Sequence, residues 1–101
     1  MTEEEKYIEF ANEEDNVVLT KCDQNALNFK RKFGGKIFSG NATYVDENNI
    51  HGRPNGHVWN EIDGTLIDIY YYKTDRKGYY CKHEGIEVTE ETLRQNNSYL
   101  L

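Results

Sequence analysis

Residues 56–72 read GHVWNEIDGTLIDIYYY, and the folding of this stretch decides the architecture. Asp63-Gly64 separates two runs rich in β-branched and aromatic residues, the strongest short-range signal for a two-residue hairpin turn. With the turn fixed there, Ile62 pairs with Thr65 and Trp59 falls opposite Asp68. Side chains alternate along a strand, so His57, Trp59 and Glu61 share one face with Leu66, Asp68 and Tyr70. His57 and Asp68 are then diagonal neighbours, roughly 7 Å apart. At that separation a carboxylate can orient an imidazole, which is half of a nucleophilic triad.

Upstream, residues 20–33 carry the clearest helix, TKCDQNALNFKRKF. Thr20 reads as its N-cap with Asp23 three residues on, a weak form of the capping box. Cys22, Ala26, Phe29 and Phe33 recur at four- and three-residue spacing, and Gly34-Gly35 ends the run. Ahead of it, a short acidic helix spans about Thr2 to Ala11, with Thr2 as N-cap and Tyr7, Ile8, Phe10 and Ala11 turned inward. Lys36–Ser39 and Ala42–Val45 read as two short strands about Gly40-Asn41. The turn-rich DENNIHGRPNG of residues 46–56 is a loop. A further strand at Gly78–His83 and a C-terminal helix capped by Thr89 complete the pattern. The expected fold class is α+β, with a Cys-bearing helix packed on a small antiparallel sheet in one domain covering residues 1–101.

The chain's 101 residues leave room for one modest core and none for a separate substrate domain. With 18 acidic against 12 basic side chains, the net charge is -6 and the pI about 5.0. That balance argues against a phosphate-seeking surface and hence against nucleic acid as a partner. The runs Tyr70-Tyr71-Tyr72 and Tyr79-Tyr80 read as alternating core and surface positions, not as base-stacking platforms. A mean hydropathy of -0.90 and 30% charged residues lean towards disorder, but 13% aromatic residues supply a packed core. No apolar run approaches the length of a membrane span, so no membrane partner is expected. The N-terminal MTEEEKYIEF has neither the basic start nor the apolar stretch of a secretion signal. The expected location is cytoplasmic, with Cys22 and Cys81 as reduced thiols.

Cys22 is the second residue of its helix if Thr20 is the cap. There a thiol meets the positive end of the helix dipole and unpaired backbone N–H groups, which favour thiolate and can hold an oxyanion. A lone cysteine on an apolar stripe is more often a packed core residue. The His57–Asp68 pair on the hairpin shifts the balance towards a nucleophile.

With Cys22, then Asn25-Ala26 on its helix, then GHVWNEIDGTLID, the chain resembles the papain-like and transglutaminase-like cysteine enzyme superfamily. More narrowly, it is similar to small bacterial and phage papain-fold proteins with a Cys..Asn-Ala helix and a His-x-Trp-Asn...Asp-Gly...Asp hairpin. The likeness covers Cys22 to Asp68, about half the chain. It implies Cys22 as nucleophile, His57 as general base, Asp68 as the residue that orients the imidazole, and Trp59 as the aromatic two residues after the histidine. Asn16 stands where papain-like peptidases place an oxyanion-binding Gln. Ile69-Tyr70-Tyr71 replaces the Pro-Thr that follows the Asp in transglutaminase-like motifs.

The implied activity is that of a cofactor-free thiol hydrolase or acyltransferase acting on a protein, peptide or small amide through an acyl carbonyl. Loop 46–56, just before His57, is the candidate substrate contact. The alternative is a non-catalytic papain-fold module that binds or inhibits a partner through its acidic surface. A zinc site at His51, Cys81 and His83 is set aside because no CxxC or HExxH spacing accompanies them, and no metal is expected.

Overall fold

The computed structural model describes residues 1–13, 16–18, 20–46, 54–96 and 100. Helix α1 (Glu3–Asn12) begins in a full capping box: Thr2 Oγ1 accepts the Glu5 N–H at 3.1 Å, and Glu5 Oε1 accepts the Thr2 N–H at 3.1 Å. Glu3, Glu4 and Glu5 set negative charge against the positive end of the helix. Tyr7, Phe10 and Ala11 face inward as expected, but Ile8 does not and is 38% exposed. Helix α2 (Cys22–Phe33) starts later than the Thr20 cap implies; its cap is Lys21, whose side chain makes no capping bond. The cause lies one turn along. Asn25 folds back on the incoming chain, its Oδ1 accepting the Val18 N–H at 2.9 Å and its Nδ2 donating to the Val18 carbonyl at 2.7 Å. A tight turn then forms, with the Lys21 N–H on the Val18 carbonyl at 3.1 Å, and Cys22 becomes the first residue of α2. Gly34, at φ 82°, ends the helix in the left-handed conformation that glycine adopts freely.

Strand β1 (Lys36–Asp46) runs unbroken through Gly40-Asn41, so the two short strands expected there are one. Gly40 serves close packing rather than a turn: it pairs with His57 on one side and Gly85 on the other, where a Cβ would run into the Glu84 carbonyl. Strands β2 (Pro54–Ile62) and β3 (Thr65–Ile67) form the hairpin, with Asp63 at φ 50° and Gly64 at φ 82° in its turn. Ile62 pairs with Thr65 as the turn predicts, followed by Glu61 with Leu66 and Asn60 with Ile67. The ladder stops there, and Trp59 does not pair with Asp68. Asp68 instead caps a 3₁₀ turn (Ile69–Tyr72), its Oδ1 accepting the Tyr70 N–H at 3.3 Å. Strand β4 (Gly78–Val88) extends beyond the expected His83 and lies against β1 rather than the hairpin, giving the antiparallel order β3-β2-β1-β4. Thr89 caps helix α3 (Glu90–Asn96), accepting the Thr92 N–H at 3.0 Å. Residues 47–53, including His51 and most of the expected substrate loop, lie outside the described residues.

Two apolar clusters hold these layers together. Tyr7, Phe10 and Phe29 gather with Phe33, Ile67, Ile69 and Tyr70, the Phe29 and Phe33 rings standing 4.8 Å apart. Ala26, Leu27, Ile37 and Leu93 form the second cluster with Leu100. The stripe read from Cys22, Ala26 and Phe29 thus divides, Ala26 serving one cluster and Phe29 the other. Between them Asn60, fully buried, donates its Nδ2–H to the Ala26 carbonyl at 2.9 Å and pins β2 to α2. Among the described residues no helix is long and apolar enough to cross a membrane.

Candidate active site

Where β3 ends, Asp68 leaves the ladder and its carboxylate turns towards β2. His57 Nε2 bonds Asp68 Oδ2 at 2.7 Å. The diagonal neighbours of the hairpin reading are therefore in direct contact. Both are buried, at 4% and 8% exposure, so neither leaves its partner cheaply.

A second imidazole completes the group. His83 Nε2 reaches the same Asp68 Oδ2 at 2.8 Å, and its side chain is 7% exposed. Strict alternation along β4 would put His83 on the face of Cys81 and opposite Tyr80. A β-bulge reverses this. Asn41 pairs with Glu84 and Thr43 with Cys81, so Lys82 and His83 together oppose Ala42. Lys82 takes up the extra residue at φ 52°, a left-handed conformation uncommon for a side chain of its kind. Past the bulge, His83 shares the face of Tyr80. A bulge has no reliable sequence signature, so the spacing of Cys81 and His83 alone did not show that His83 faces Tyr80.

Aromatic rings wall the group. Tyr80 stacks on the His57 ring with centroids 3.8 Å apart and planes at 17°. Trp59, buried, lies 6.0 Å from His57 and meets His83 edge-on at 4.9 Å. The facing pair Gly40 and Gly85 keeps this face low enough for the indole; a Cβ on Gly85 would come 2.8 Å from a Trp59 ring carbon.

Cys22 lines the same cavity as Asn25, His57, Trp59, Asp68, Tyr70 and Tyr80. It is not one of the tight His57–Asp68–His83 triple. Burial alone would push His57 down; hydrogen bonds with Asp68 and Cys22, and their charge, outweigh it and raise the imidazole to about 9. Burial would raise Asp68, yet the hydrogen bonds from His57 and His83 hold its carboxyl below the usual range. Tyr80 is raised by burial first and then by the charges of Cys22 and Asp68. Burial and a hydrogen bond with Tyr44 push Tyr70 up to about 12. The cavity measures about 10 Å³, room for roughly one water molecule.

Asn16 is placed elsewhere. Its Nδ2 donates to the Phe10 carbonyl at 3.1 Å and to Glu13 Oε2 at 3.3 Å, tying the end of α1 rather than facing the thiol. Asn25, the asparagine of the Cys..Asn-Ala helix, lines the cavity in its stead, though its amide is spent on Val18. Cys81 lies on β4 opposite Thr43 and outside the triple. One ligand atom each from His57, Asp68 and His83 lies within 4.8 Å of the other two, which makes this the group among the described residues with the spacing of a metal site.

The fold and the site together define a small α+β protein with a buried carboxylate held between two imidazoles beside a thiol. No family model, curated protein or solved structure matches the chain.

Proposed function

We propose that the chain is a papain-like thiol hydrolase or acyltransferase working through Cys22, His57 and Asp68. One observation carries this reading: the 2.7 Å bond between His57 Nε2 and Asp68 Oδ2, on the wall of a cavity that Cys22 shares. With Nε2 committed to Asp68, Nδ1 is the ring nitrogen left to serve the thiol. His57, raised to about 9, already holds the Cys22 proton as an imidazolium when the sulfur attacks an acyl carbonyl and a C–S bond forms. His57 then returns the proton to the departing amine as the C–N bond breaks. Water, or an amine in the transfer case, attacks the thioester and releases the acyl group, restoring the thiol. Asp68 holds the tautomer and steadies the imidazolium between these steps. Backbone N–H groups at the start of α2 suit the oxyanion, a role Asn16 does not reach. The cavity's one-water size favours a substrate that presents its carbonyl at the mouth, with space inside for the hydrolytic water.

A panel of activated acyl probes followed by intact-mass spectrometry tests the reading. Acylation must map to Cys22, be lost in Cys22→Ser, and fall at least about a hundredfold in His57→Ala. Acylation equal on Cys22 and Cys81 removes it. The same small cavity also suits the alternative, a non-catalytic module with an acidic face. Under that reading Cys22→Ala leaves partner binding intact and no acyl-enzyme accumulates.

A further inference from the structure

We infer that His57, Asp68 and His83 form a binding site for a divalent transition-metal ion of the zinc type. An acyl-transfer triad needs one imidazole on its carboxylate, and His57 fills that place. His83 is surplus to such a triad, yet its Nε2 meets the same Asp68 oxygen that His57 meets, at 2.8 Å. Burying two imidazoles and a carboxylate is costly unless each finds a partner, and a cation between them serves all three. The three ligand atoms already lie within 4.8 Å of one another, one from β2, one from the end of β3 and one from β4.

Zinc holds nitrogen and oxygen ligands at about 2.0–2.2 Å, so tetrahedral ligands stand roughly 3.3 Å apart. The present contacts of 2.7 and 2.8 Å need to open by about half an ångström, a matter of side-chain torsion rather than backbone. Two imidazoles with one carboxylate suit zinc, iron, cobalt or nickel, whereas magnesium and calcium demand all-oxygen shells. Tyr80 against His57 and Trp59 against His83 hold the rings on station, as supporting residues do in metal centres. Metal and acyl transfer exclude each other, because both need His57 Nε2 and Asp68. That consequence rests on the thiol reading above; the binding itself does not.

The test is calorimetric titration of the full chain with zinc chloride, repeated with cobalt(II) as a coloured stand-in. One ion per chain is expected, with the visible absorption of a low-coordinate cobalt centre. Affinity must fall at least about tenfold in His83→Gln, a variant that keeps an N–H donor for Asp68, while its thermal melt without metal stays near that of the unaltered chain. Cys22→Ser must still bind. In the unaltered chain, zinc must shift the ring ¹⁵N signals of both His57 and His83, a readout that does not depend on any variant folding. No uptake, or uptake lost in Cys22→Ser and untouched in His83→Gln, overturns the inference. Either result leaves the acyl-probe test of Cys22 to stand or fall separately.

Discussion

Two buried regions of this molecule are built from opposite materials. Beneath α1, Tyr7, Phe10, Phe29 and Phe33 meet edge to face or tilted, with Phe29 and Tyr7 5.3 Å apart. Beside β4, His57, Asp68 and His83 meet through two hydrogen bonds to one oxygen. The aromatic cluster tolerates small errors of placement because dispersion and burial are non-directional. The polar cluster tolerates almost none, since each group left without its partner keeps its full desolvation cost. The first region therefore accounts for stability, and the second is where the proposed chemistry would sit.

The largest test of that division is Phe29→Ala. Its ring is fully buried, and its loss is expected to cost about 3–5 kcal/mol in urea unfolding. Below the melting transition, the reactivity of Cys22 should change little. Asp68→Ala comes next: it strands two imidazole N–H groups and is expected to cost about 2–4 kcal/mol by the same measurement. Asp68→Asn keeps an acceptor and so costs less stability, but it should lower Cys22 acylation by at least about a hundredfold. A larger stability loss in Asp68→Asn than in Phe29→Ala would break the comparison.

The pH dependence of melting sharpens it. His57 is raised from 6.5 to about 9, so its contribution is full below pH 6.5 and is lost as pH rises through about 9. Asp68 is lowered from 3.8, so its contribution is present above pH 3.8 and is lost as pH falls through its lowered value. Melting temperature should fall on the alkaline side from about pH 6.5 to 9, and His57→Gln should flatten that limb. Phe29→Ala should shift the whole curve and leave its shape alone. The smallest effect belongs to the surface: Arg31→Ala, which removes the 3.1 Å pair with Glu90, is expected to cost under about 1 kcal/mol.

The two regions also differ in how far they could be read from the chain. Tyr7, Phe10 and Phe29 follow helical spacing, and each side chain finds the core on its own account. The Asp63-Gly64 turn fixed the Ile62–Thr65 register, and so put His57 and Asp68 on the same side of the hairpin. What escaped were departures from regular geometry. The exit of Asp68 from the ladder shortened a diagonal approach into a bond, and the bulge at Lys82 carried His83 across to the other face. The fold-back of Asn25 onto Val18 moved the helix start to Cys22, and the amide of Asn16 was claimed by α1. Each of these depends on a contact made only after the elements meet, which neither periodicity nor capping rules can foresee.

The most direct measurement is the rate of iodoacetamide labelling at Cys22 against Cys81 in the same molecule at about pH 6, where an unassisted thiol is nearly inert. Both thiols are free and partly buried, so access does not obviously favour either. Labelling of Cys22 at least about tenfold faster, abolished by His57→Ala and leaving Cys81 unchanged, is the predicted result. Equal rates at the two cysteines, or a Cys22 rate indifferent to His57→Ala, would contradict the assignment of Cys22, His57 and Asp68 as one catalytic group.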